Sequence, residues 1–526
     1  MKLPLLSVPL ILLLCIGCSN DRTKEIKHNS QFLTIATAED PLSLDPRLVR
    51  DLSSSTVMRL LYEGLLSTSF NGKIVTGIAE RYTISDDKKT YTFHLRPTTW
   101  ADGSPLTAHD FESTWKSVLN PSFPAPNAYQ LYVIKGAQAA KEGRASEEAI
   151  GIKAVNELTL MVELEQPAPF FIDMVTCHFF FPVHTRMRKN LNSRDDNLIG
   201  NGPFNLDKWT KRSELKAVKN PAYWDHANVA LQGISIQILD EHTALKLFRA
   251  GELDWVGSPL STLPQDAIAT LKQQNKLLIT KGAGTHWFRL NTSKPPFNNL
   301  NMRRAFALAL NRMDIIEHIT QGNQQPAIAI TPPSFGLKQE KHFSDNDITN
   351  AQQLFKEALK EEKLTKAEFP SIFLSYASSD RNHKIAQAVQ QQWNAVFGIA
   401  IVLNGNEPQM QMDKVKTGNY HIAMGSWYAD IHDPINFLEI FKSKDNPTNQ
   451  TFWQNEAYSR LLFESSLELD SDKRKEILSN AEKILVEEMP VIPLFHSAYN
   501  YIKSDHVENV YFSPLGYLDF KLAEKQ

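Results

Sequence analysis

The chain has 526 residues, with 56 lysines and arginines against 59 aspartates and glutamates, so its formal net charge is −3. This balance excludes the strongly basic surface that is typical of a nucleic-acid-binding protein. With 42% hydrophobic and 10% aromatic residues, the composition excludes a disordered chain. At roughly 150 residues per domain, the length predicts about three to four packed domains.

The first predicted element is an export signal at residues 1–17. Lys2 provides a positive charge, and an apolar stretch from Leu3 to Gly17 follows it. This stretch is shorter than the roughly 20 residues that a membrane-spanning helix needs. The pattern therefore predicts a cleaved signal peptide and excludes a protein that crosses the membrane several times.

The segment that ends this signal, Ile16-Gly17-Cys18, resembles the lipobox of bacterial lipoproteins, in which a cysteine after a small residue receives a diacylglyceryl group. The resemblance implies a lipid on Cys18 and a lipidated tether at residues 18–31. It implies a periplasmic or otherwise extracytoplasmic protein that the lipid holds to the cell membrane. Cys15 stands where leucine is usual. The alternative is an ordinary signal peptide with two incidental cysteines.

Strand and helix patterns alternate along the rest of the chain, which predicts an α/β fold. Residues 91–95 and 158–164 alternate between apolar and polar side chains with period two, as strands do. Residues 351–359 and 472–489 place their apolar side chains on one helical face. Each of these apolar stripes is most simply the core-facing side of its element.

Cys177 is the one cysteine that remains once Cys15 and Cys18 are assigned to the signal and the lipid. The mature chain is therefore expected to have no intramolecular disulfide. Cys177 lies within the apolar segment 168–181. Such surroundings predict a buried, unreactive thiol rather than a nucleophile.

Sequence motifs of enzyme active sites are absent from the chain. It has no G-x-S-x-G, H-E-x-x-H or G-x-x-x-x-G-K-[ST] segment, and none of its 15 histidines forms an i, i+4 pair. In other proteins, these motifs hold a catalytic nucleophile, a zinc ion or a nucleotide phosphate at the active site. We therefore expect no catalytic residue, no metal site and no cofactor.

Long segments of the chain resemble the extracellular solute-binding proteins of oligopeptide ABC importers. The most specific segment is 100–111, where Asp102-Gly103 predicts a tight turn and Thr107 predicts the N-cap of a helix. The resemblance covers nearly the whole mature chain. Its other segments, mostly structural in role, are 43–46, 61–66, 79–82, 200–204, 220–224, 250–254, 296–299 and 303–312.

The resemblance implies a two-lobed periplasmic-binding-protein fold of the α/β class with an additional small domain, known as class C. The two lobes are expected to close over a ligand like a hinge. The additional domain is expected to pack on lobe I. The expected ranges are 32–64, 195–285 and 495–526 for lobe I, 65–194 for the additional domain, and 286–494 for lobe II.

Within segment 425–434, Asp430 matches the family carboxylate that pairs with the ligand's α-ammonium. A carboxylate inside a closed cleft requires an ionic partner, and such a pair fixes which end of a peptide enters. The alternative is a surface aspartate in the turn before Pro434. The resemblance also implies two backbone segments that sandwich the peptide as an added strand, namely Arg50, Asp51 and Leu52 on one side and Ser426, Trp427 and Tyr428 on the other.

The expected site departs from known oligopeptide binders at the ligand's carboxylate end. Met424 and Val415 stand where such relatives have arginines. Arg289 and Lys416 are the cations that could replace them. Trp427, Tyr428 and Trp287 are expected to line pockets for the ligand's side chains. Strand alternation puts Trp287 on the same face as Arg289, and a core position for Trp287 is an equal alternative to a ligand contact.

The expected function is to capture short peptides outside the cytoplasm and to deliver them to the membrane permease and ATPase subunits of an ABC importer. A monomer without nucleic-acid partners is expected. A murein-peptide binder would use the same fold and Asp430, and it is the main alternative. A nickel-chelate or haem binder fits less well, because the histidines do not cluster. A secreted hydrolase would need a nucleophile or metal site that the sequence lacks.

We predict that Cys18→Ser releases the protein from membranes into the soluble fraction, because the serine oxygen is not a substrate for thiol-directed lipidation. Fractionation of cells that express the two forms, followed by immunoblotting, measures this change. A variant that stays with the membranes as the wild type does would contradict the lipoprotein interpretation.

Overall fold

The protein is described by a computed structural model. The predicted signal peptide 1–17, Cys18, nearly all of the tether 18–31 and Arg50 lie outside the described residues. In the described part of the chain, no helix is both long enough and apolar enough to cross a membrane. The described residues are 31–49, 51–69, 72–188, 198–338 and 342–526.

The α-helices are numbered in chain order: α1 Leu52–Leu61, α2 Ala108–Leu119, α3 Ala137–Lys141, α4 Phe171–Met174, α5 Thr185–Arg188, α6 Glu241–Arg249, α7 Gln265–Gln273, α8 Leu300–Leu308, α9 Arg312–Ile315, α10 Ile348–Glu361, α11 Asp380–Phe397, α12 Pro408–Lys416, α13 Ile435–Leu438, α14 Glu456–Leu467 and α15 Ser471–Glu488.

The strands are numbered in the same way: β1 Phe32–Thr37, β2 Leu66–Thr68, β3 Ile74–Thr76, β4 Ala79–Ile84, β5 Thr90–Leu95, β6 Thr98–Thr99, β7 Pro105–Leu106, β8 Ile152–Asn156, β9 Thr159–Glu163, β10 Phe204–Thr210, β11 Glu214–Lys219, β12 Gly233–Ile238, β13 Trp255–Gly257, β14 Leu278–Leu290, β15 Gln325–Pro326, β16 Ile372–Ala377, β17 Ile401–Asn406, β18 Ile422–Tyr428, β19 Val491–Lys503, β20 Val507–Glu508, β21 Tyr511–Phe512, β22 Leu518–Asp519 and β23 Glu524–Lys525.

These elements confirm the predicted α/β class. The periodic segments 91–95 and 158–164 form β5 and β9, and the apolar stripes at 351–359 and 472–489 belong to α10 and α15. Each stripe faces the core, since Ala351 and Leu478 are fully buried. Hydrophobic periodicity was therefore sufficient to predict the type of these four elements.

The turn and helix cap predicted near Gly103 are confirmed as well. The Gly103 N–H donates to the Trp100 carbonyl at 2.9 Å, and Gly103 has a φ of 83°, which glycine adopts without a steric penalty. Thr107 is the N-cap of α2, and its N–H donates to the Asp110 carboxylate at 3.0 Å. The short hairpin β6–β7 therefore leads directly into α2.

One mixed sheet of 11 strands extends through most of the molecule, in the order β10-β11-β12-β1-β13-β19-β14-β18-β16-β17, with β15 paired to β19. β14 and β19 are each 13 residues long and lie at its centre. Five shorter strands lie beyond β19 at one end, and β18, β16 and β17 lie beyond β14 at the other. The two long strands thus connect two groups of strands that are otherwise separate.

The ladder between these long strands is interrupted near its middle. Its register shifts between Lys281 and Thr285, and the Ala283 N–H instead donates to the Pro514 carbonyl at 2.7 Å. The expected lobe boundaries, 285/286 and 494/495, fall beside this interruption. An interrupted pair of strands bends more easily than a continuous ladder, as a hinge requires.

A separate antiparallel sheet, in the order β4-β5-β9-β8, packs against α2 and lies within the expected additional domain. Trp115 of α2 is fully buried, with its ring 4.9 Å from that of Phe180 and its Nε1–H donating to the Phe180 carbonyl at 2.9 Å. Truncation of such a ring typically costs about 3–5 kcal/mol. This sheet and α2 therefore have a hydrophobic core of their own.

A charge cluster connects this region to the other end of the molecule. Arg474 of α15 donates to both carboxylate oxygens of Asp433, at 2.5 and 2.8 Å, and its Cζ lies 6.0 Å from the ring of Phe170. Burial, together with the negative charge of Asp433, raises the pKa of Asp173 to about 7, while Arg474 lowers it. The carboxyl group of Asp173 in the folded protein therefore gains or loses its proton near neutral pH.

We predict that this acid makes stability depend on pH. Its folded-state pKa is raised, so its contribution to the free energy of unfolding is present near pH 4 and is lost as the pH rises through about 7. Asp173→Asn should therefore gain stability relative to the wild type between those pH values.

Urea unfolding at several pH values measures this difference. Glu482, whose pKa burial also raises to about 7, is present in both proteins and cancels in the difference. Parallel stability curves for the two proteins would show that Asp173 titrates normally.

Candidate ligand-binding site

A cavity of 230 Å³ lies between the end of β18 and the start of α1, and we call it the α1–β18 cavity. The end of β18, one face of α1, and residues from segments 127–129, 177–179 and 515–517 form its wall. Five of the residues predicted to bind a ligand line it, namely Asp51, Leu52, Trp427, Tyr428 and Asp430. The fold thus brings together residues that are almost 380 positions apart in the sequence.

Asp430 follows β18 and is held by contacts from three directions. Its Oδ2 accepts a hydrogen bond from the Tyr129 hydroxyl at 3.1 Å, and its N–H donates to Asn436 Oδ1 at 3.2 Å. Its carbonyl accepts from the Cys177 thiol at 3.7 Å. The indole of Trp427 donates to the same Asn436 oxygen at 2.9 Å. These contacts fix the segment after β18 so that the carboxylate of Asp430 lines the cavity.

The opposite wall consists of one face of α1. Asp51 is the N-cap, and its Oδ1 accepts from the Ser54 N–H at 2.7 Å. Asp51 Oδ2 is buried without a hydrogen-bond partner among the described residues. Arg59 lies two turns further on, with its Cζ 3.6 Å from the centroid of the Tyr517 ring. Its Nη2 donates to the Thr176 carbonyl at 3.1 Å, whereas its buried Nε has no partner in the described part of the chain.

His178 adds no positive charge to this wall. Burial lowers its pKa to about 4. Its Nε2 lies 3.2 Å from the Val49 carbonyl and its Nδ1 lies 3.1 Å from the Ser55 hydroxyl. This network assigns a neutral ring that donates from Nε2 and accepts at Nδ1. Among the described lining residues, the charged groups are therefore the carboxylates of Asp51 and Asp430 and the guanidinium of Arg59.

β18 offers an open backbone edge beside the cavity. It pairs with β14 from Ile422 to Tyr428, but with β16 only at Ile422 and Ala423. The edge of β18 that faces away from β14 has no ladder partner from Met424 to Tyr428 among the residues that the structure describes. This stretch includes the predicted residue Ser426. Unpaired N–H and C=O groups of such an edge can bind an extended peptide as an additional strand.

Of the other predicted site residues that the structure describes, Ser426, Trp287, Arg289 and Lys416 lie outside the lining of the α1–β18 cavity. The register of β14 puts Trp287 and Arg289 on one face, as predicted. Trp287 is 1% exposed and packs at 6.0 Å against Phe441, as a core residue does. Arg289 is half-buried on the same face. Lys416 ends α12 with an exposed side chain.

Sequence reasoning missed Tyr129, Arg59, His178 and Tyr517 as lining residues. Tyr129 lies in a 3-10 turn at Ala128–Val133, and no local pattern distinguishes it from other surface tyrosines. Arg59 and Ser55 are four residues apart on α1, which predicts a shared helical face but not what that face contacts. Only the tertiary structure brings these side chains to Asp430.

The described ranges contain no group of three or more histidine, cysteine, aspartate or glutamate side chains that could hold a metal ion. The lining of the α1–β18 cavity is instead aromatic and charged. Such a lining suits an organic ligand with both apolar and ionic groups.

The fold and the cleft define a two-lobed ligand-binding protein, and the comparisons identify its family. A profile of the bacterial extracellular solute-binding proteins, family 5, matches residues 73–449. The oligopeptide-binding protein OppA of Bacillus subtilis is 38% identical over 516 residues, which cover 96% of this chain and 94% of OppA. The chain therefore belongs to family 5 of the bacterial extracellular solute-binding proteins, as its sequence motifs predicted.

Solved structures confirm the predicted fold. The murein tripeptide-binding protein MppA in an unliganded open form has a TM-score of 0.82 and 28% identity, covering 94% of this chain and 97% of MppA. OppA of Haemophilus influenzae in complex with the peptide RPPGFSPFR has a TM-score of 0.73 and 25% identity, covering 94% and 99%. The chain is thus similar in overall fold to solved structures of both a murein-tripeptide-binding and an oligopeptide-binding protein.

We predict that the Cys177 thiol does not react in the folded protein. Cys177 is 5% exposed, and burial raises the pKa of its thiol to about 12, so almost no thiolate forms at pH 8. Iodoacetamide should modify the mature chain only after denaturation, and intact-mass spectrometry measures the added mass. Rapid modification of the native protein would contradict the burial of this side chain.

Proposed function

We propose that this chain is the extracytoplasmic substrate-binding component of a peptide ABC importer. It captures short peptides between its two lobes and delivers them to the membrane permease and ATPase subunits. The observation that carries the proposal is the position of Asp430, which lines the α1–β18 cavity at the end of a strand with an open edge. A peptide needs both features, a carboxylate for its ammonium and an edge for its backbone.

The charges of the cavity favour a cationic group. Among the described lining residues, Asp51 and Asp430 carry carboxylates, Arg59 carries a guanidinium and His178 is neutral. A ligand ammonium beside Asp430 would form an ion pair with it, and a charge pair that is shielded from water is much stronger than one on the surface. Tyr129 holds Asp430 Oδ2 at 3.1 Å and orients the carboxylate for that contact.

The backbone of the ligand would add to the open edge of β18. Hydrogen bonds to main-chain groups do not depend on the ligand's side chains, so this mode suits a receptor for peptides of many sequences. Arg50, Asp51 and Leu52 would cover the ligand from the other side once the lobes close. Trp427 and Tyr428 would contact the ligand's first side chains.

Closure would occur about β14 and β19. We assign lobe I to 32–64, 195–285 and 495–526, the additional domain to 65–194, and lobe II to 286–494. The interrupted ladder between Lys281 and Thr285 supports this division, because both long strands cross from one lobe to the other at that point. Binding would favour the closed arrangement through its contacts with both walls.

Several further features complete the proposal. A lipid on Cys18 would hold a monomeric receptor at the cell membrane outside the cytoplasm, near its permease. No bond of the ligand is broken, so the protein acts as a receptor and not as an enzyme. Murein peptides are the second candidate ligand, and the TM-score of 0.82 to MppA supports including them.

We predict that Asp430→Asn weakens the binding of peptides with a free N-terminus, because the ammonium loses its charge partner. Removal of one member of a buried pair costs about 2–5 kcal/mol, or at least about thirtyfold in affinity. Titration calorimetry with tri-, tetra- and penta-alanine and with murein tripeptide measures the effect.

N-acetylated alanine peptides supply the matched comparison. They should bind the wild type as weakly as free peptides bind Asp430→Asn, and acetylation should change little in the variant. Asp445→Asn, which alters an exposed carboxylate in a distant turn, serves as the control variant. Equal affinity of the wild type for free and acetylated peptides would refute the ammonium contact.

A further inference from the structure

The side chain of Arg289 lies across the backbone of β18. Arg289 pairs with Ala423 in the ladder, and its guanidinium extends past it to the adjacent position on the same face, Gly425. A Cβ on Gly425 would overlap Arg289 Nη1 and would lie 2.6 Å from its Cζ. Because Gly425 has no side chain, the guanidinium of Arg289 can lie over the backbone of β18 at this position.

That guanidinium has no anionic partner. Among the described residues, none forms a hydrogen bond or an ion pair with Arg289; its Cζ lies 5.8 Å from the centroid of the Trp287 ring, and the neutral phenol of Tyr420 is close enough to act on it electrostatically. Burial lowers its pKa from the ordinary value. A partly desolvated cation without a counter-charge is costly, and an anion beside it would recover that cost.

The open edge of β18 begins beside this group. The pairing with β16 ends at Ala423, so a ligand strand along the outer edge would pass Gly425 and reach Asp430. At roughly 3.3 Å per residue these two positions are about 16 Å apart along the strand. The side chains of Arg289 and Asp430 both extend toward a ligand between these positions, so the distance that the ligand must span is shorter. A linear peptide of about three to five residues would span it.

From this geometry we propose that Arg289, admitted by Gly425, binds a carboxylate of the ligand and thereby selects short peptides with an anionic group at the end opposite their ammonium. The inference depends on the proposed function, because it needs a peptide along β18. The carboxylate can be the C-terminus of a linear peptide or an acidic side chain. Its partner at the other end of the ligand is Asp430.

The test compares tetra-alanine with its C-terminal amide by calorimetry. The wild type should prefer the free acid by about tenfold to hundredfold, the range of a charge-assisted hydrogen bond. Arg289→Gln should reduce this preference to about one while its affinity for the amide stays unchanged. Gly425→Ala should give the same result with Arg289 still present, because the new Cβ displaces the guanidinium.

Arg381→Gln is the matched control. It removes the same charge from an exposed side chain at a neighbouring cavity of 390 Å³, and it should keep the preference for the acid. Alanine tetrapeptide amides with one glutamate at position two, three or four distinguish the two sources of the carboxylate. An Arg289-dependent gain with such an amide identifies a side-chain carboxylate as a ligand.

Three results would overturn the inference: equal loss of acid and amide binding in Arg289→Gln, a wild type without acid preference, or a preference that disappears in Arg381→Gln. Failure of the proposed ammonium contact would look different. In that case acetylated tetra-alanine would bind as tightly as the free peptide, whatever residue stands at position 289.

Discussion

The site depends on one feature of the sheet, which is that β18 is paired along its whole length on one side and over only two residues on the other. β14 fixes β18 in the core of the molecule. Trp427 and Tyr428, at the end of the unpaired edge that begins at Met424, line the α1–β18 cavity. Backbone groups of an edge strand require partners, and a peptide that supplied them, as proposed, would lie between Arg289 and Asp430.

The charges at the two ends of this edge are of opposite sign. Asp430 lies at the end of the strand near α1, and the guanidinium of Arg289 lies over Gly425. A strand laid between them would have its ammonium and its carboxylate at complementary ends, so only one direction is favoured. Backbone pairing alone accepts either direction, so the two charges supply an orientation that the hydrogen bonds of the edge cannot.

The sequence predicted the parts of this arrangement that local patterns and motifs determine. Periodicity predicted the type of β5, β9, α10 and α15, and the motif at 425–434 singled out Asp430, which lines the α1–β18 cavity. The crossing of Arg289 over Gly425 was not predictable in the same way, because it depends on the register between β14 and β18. Tyr129 and Arg59 were missed because their relation to Asp430 is a product of tertiary packing alone.

Several buried polar atoms near the candidate site have no hydrogen-bond partner among the described residues. Asp51 Oδ2 and Arg59 Nε in the α1–β18 cavity, and Ser497 Oγ beside the interrupted ladder, are buried and unpaired in the described part of the chain. An unsatisfied buried group costs about 1–3 kcal/mol. A ligand or the opposite lobe that supplies the missing partners would recover this free energy on closure. In the proposed mechanism these groups would favour the closed, liganded arrangement and would so couple capture of the ligand to movement of the lobes.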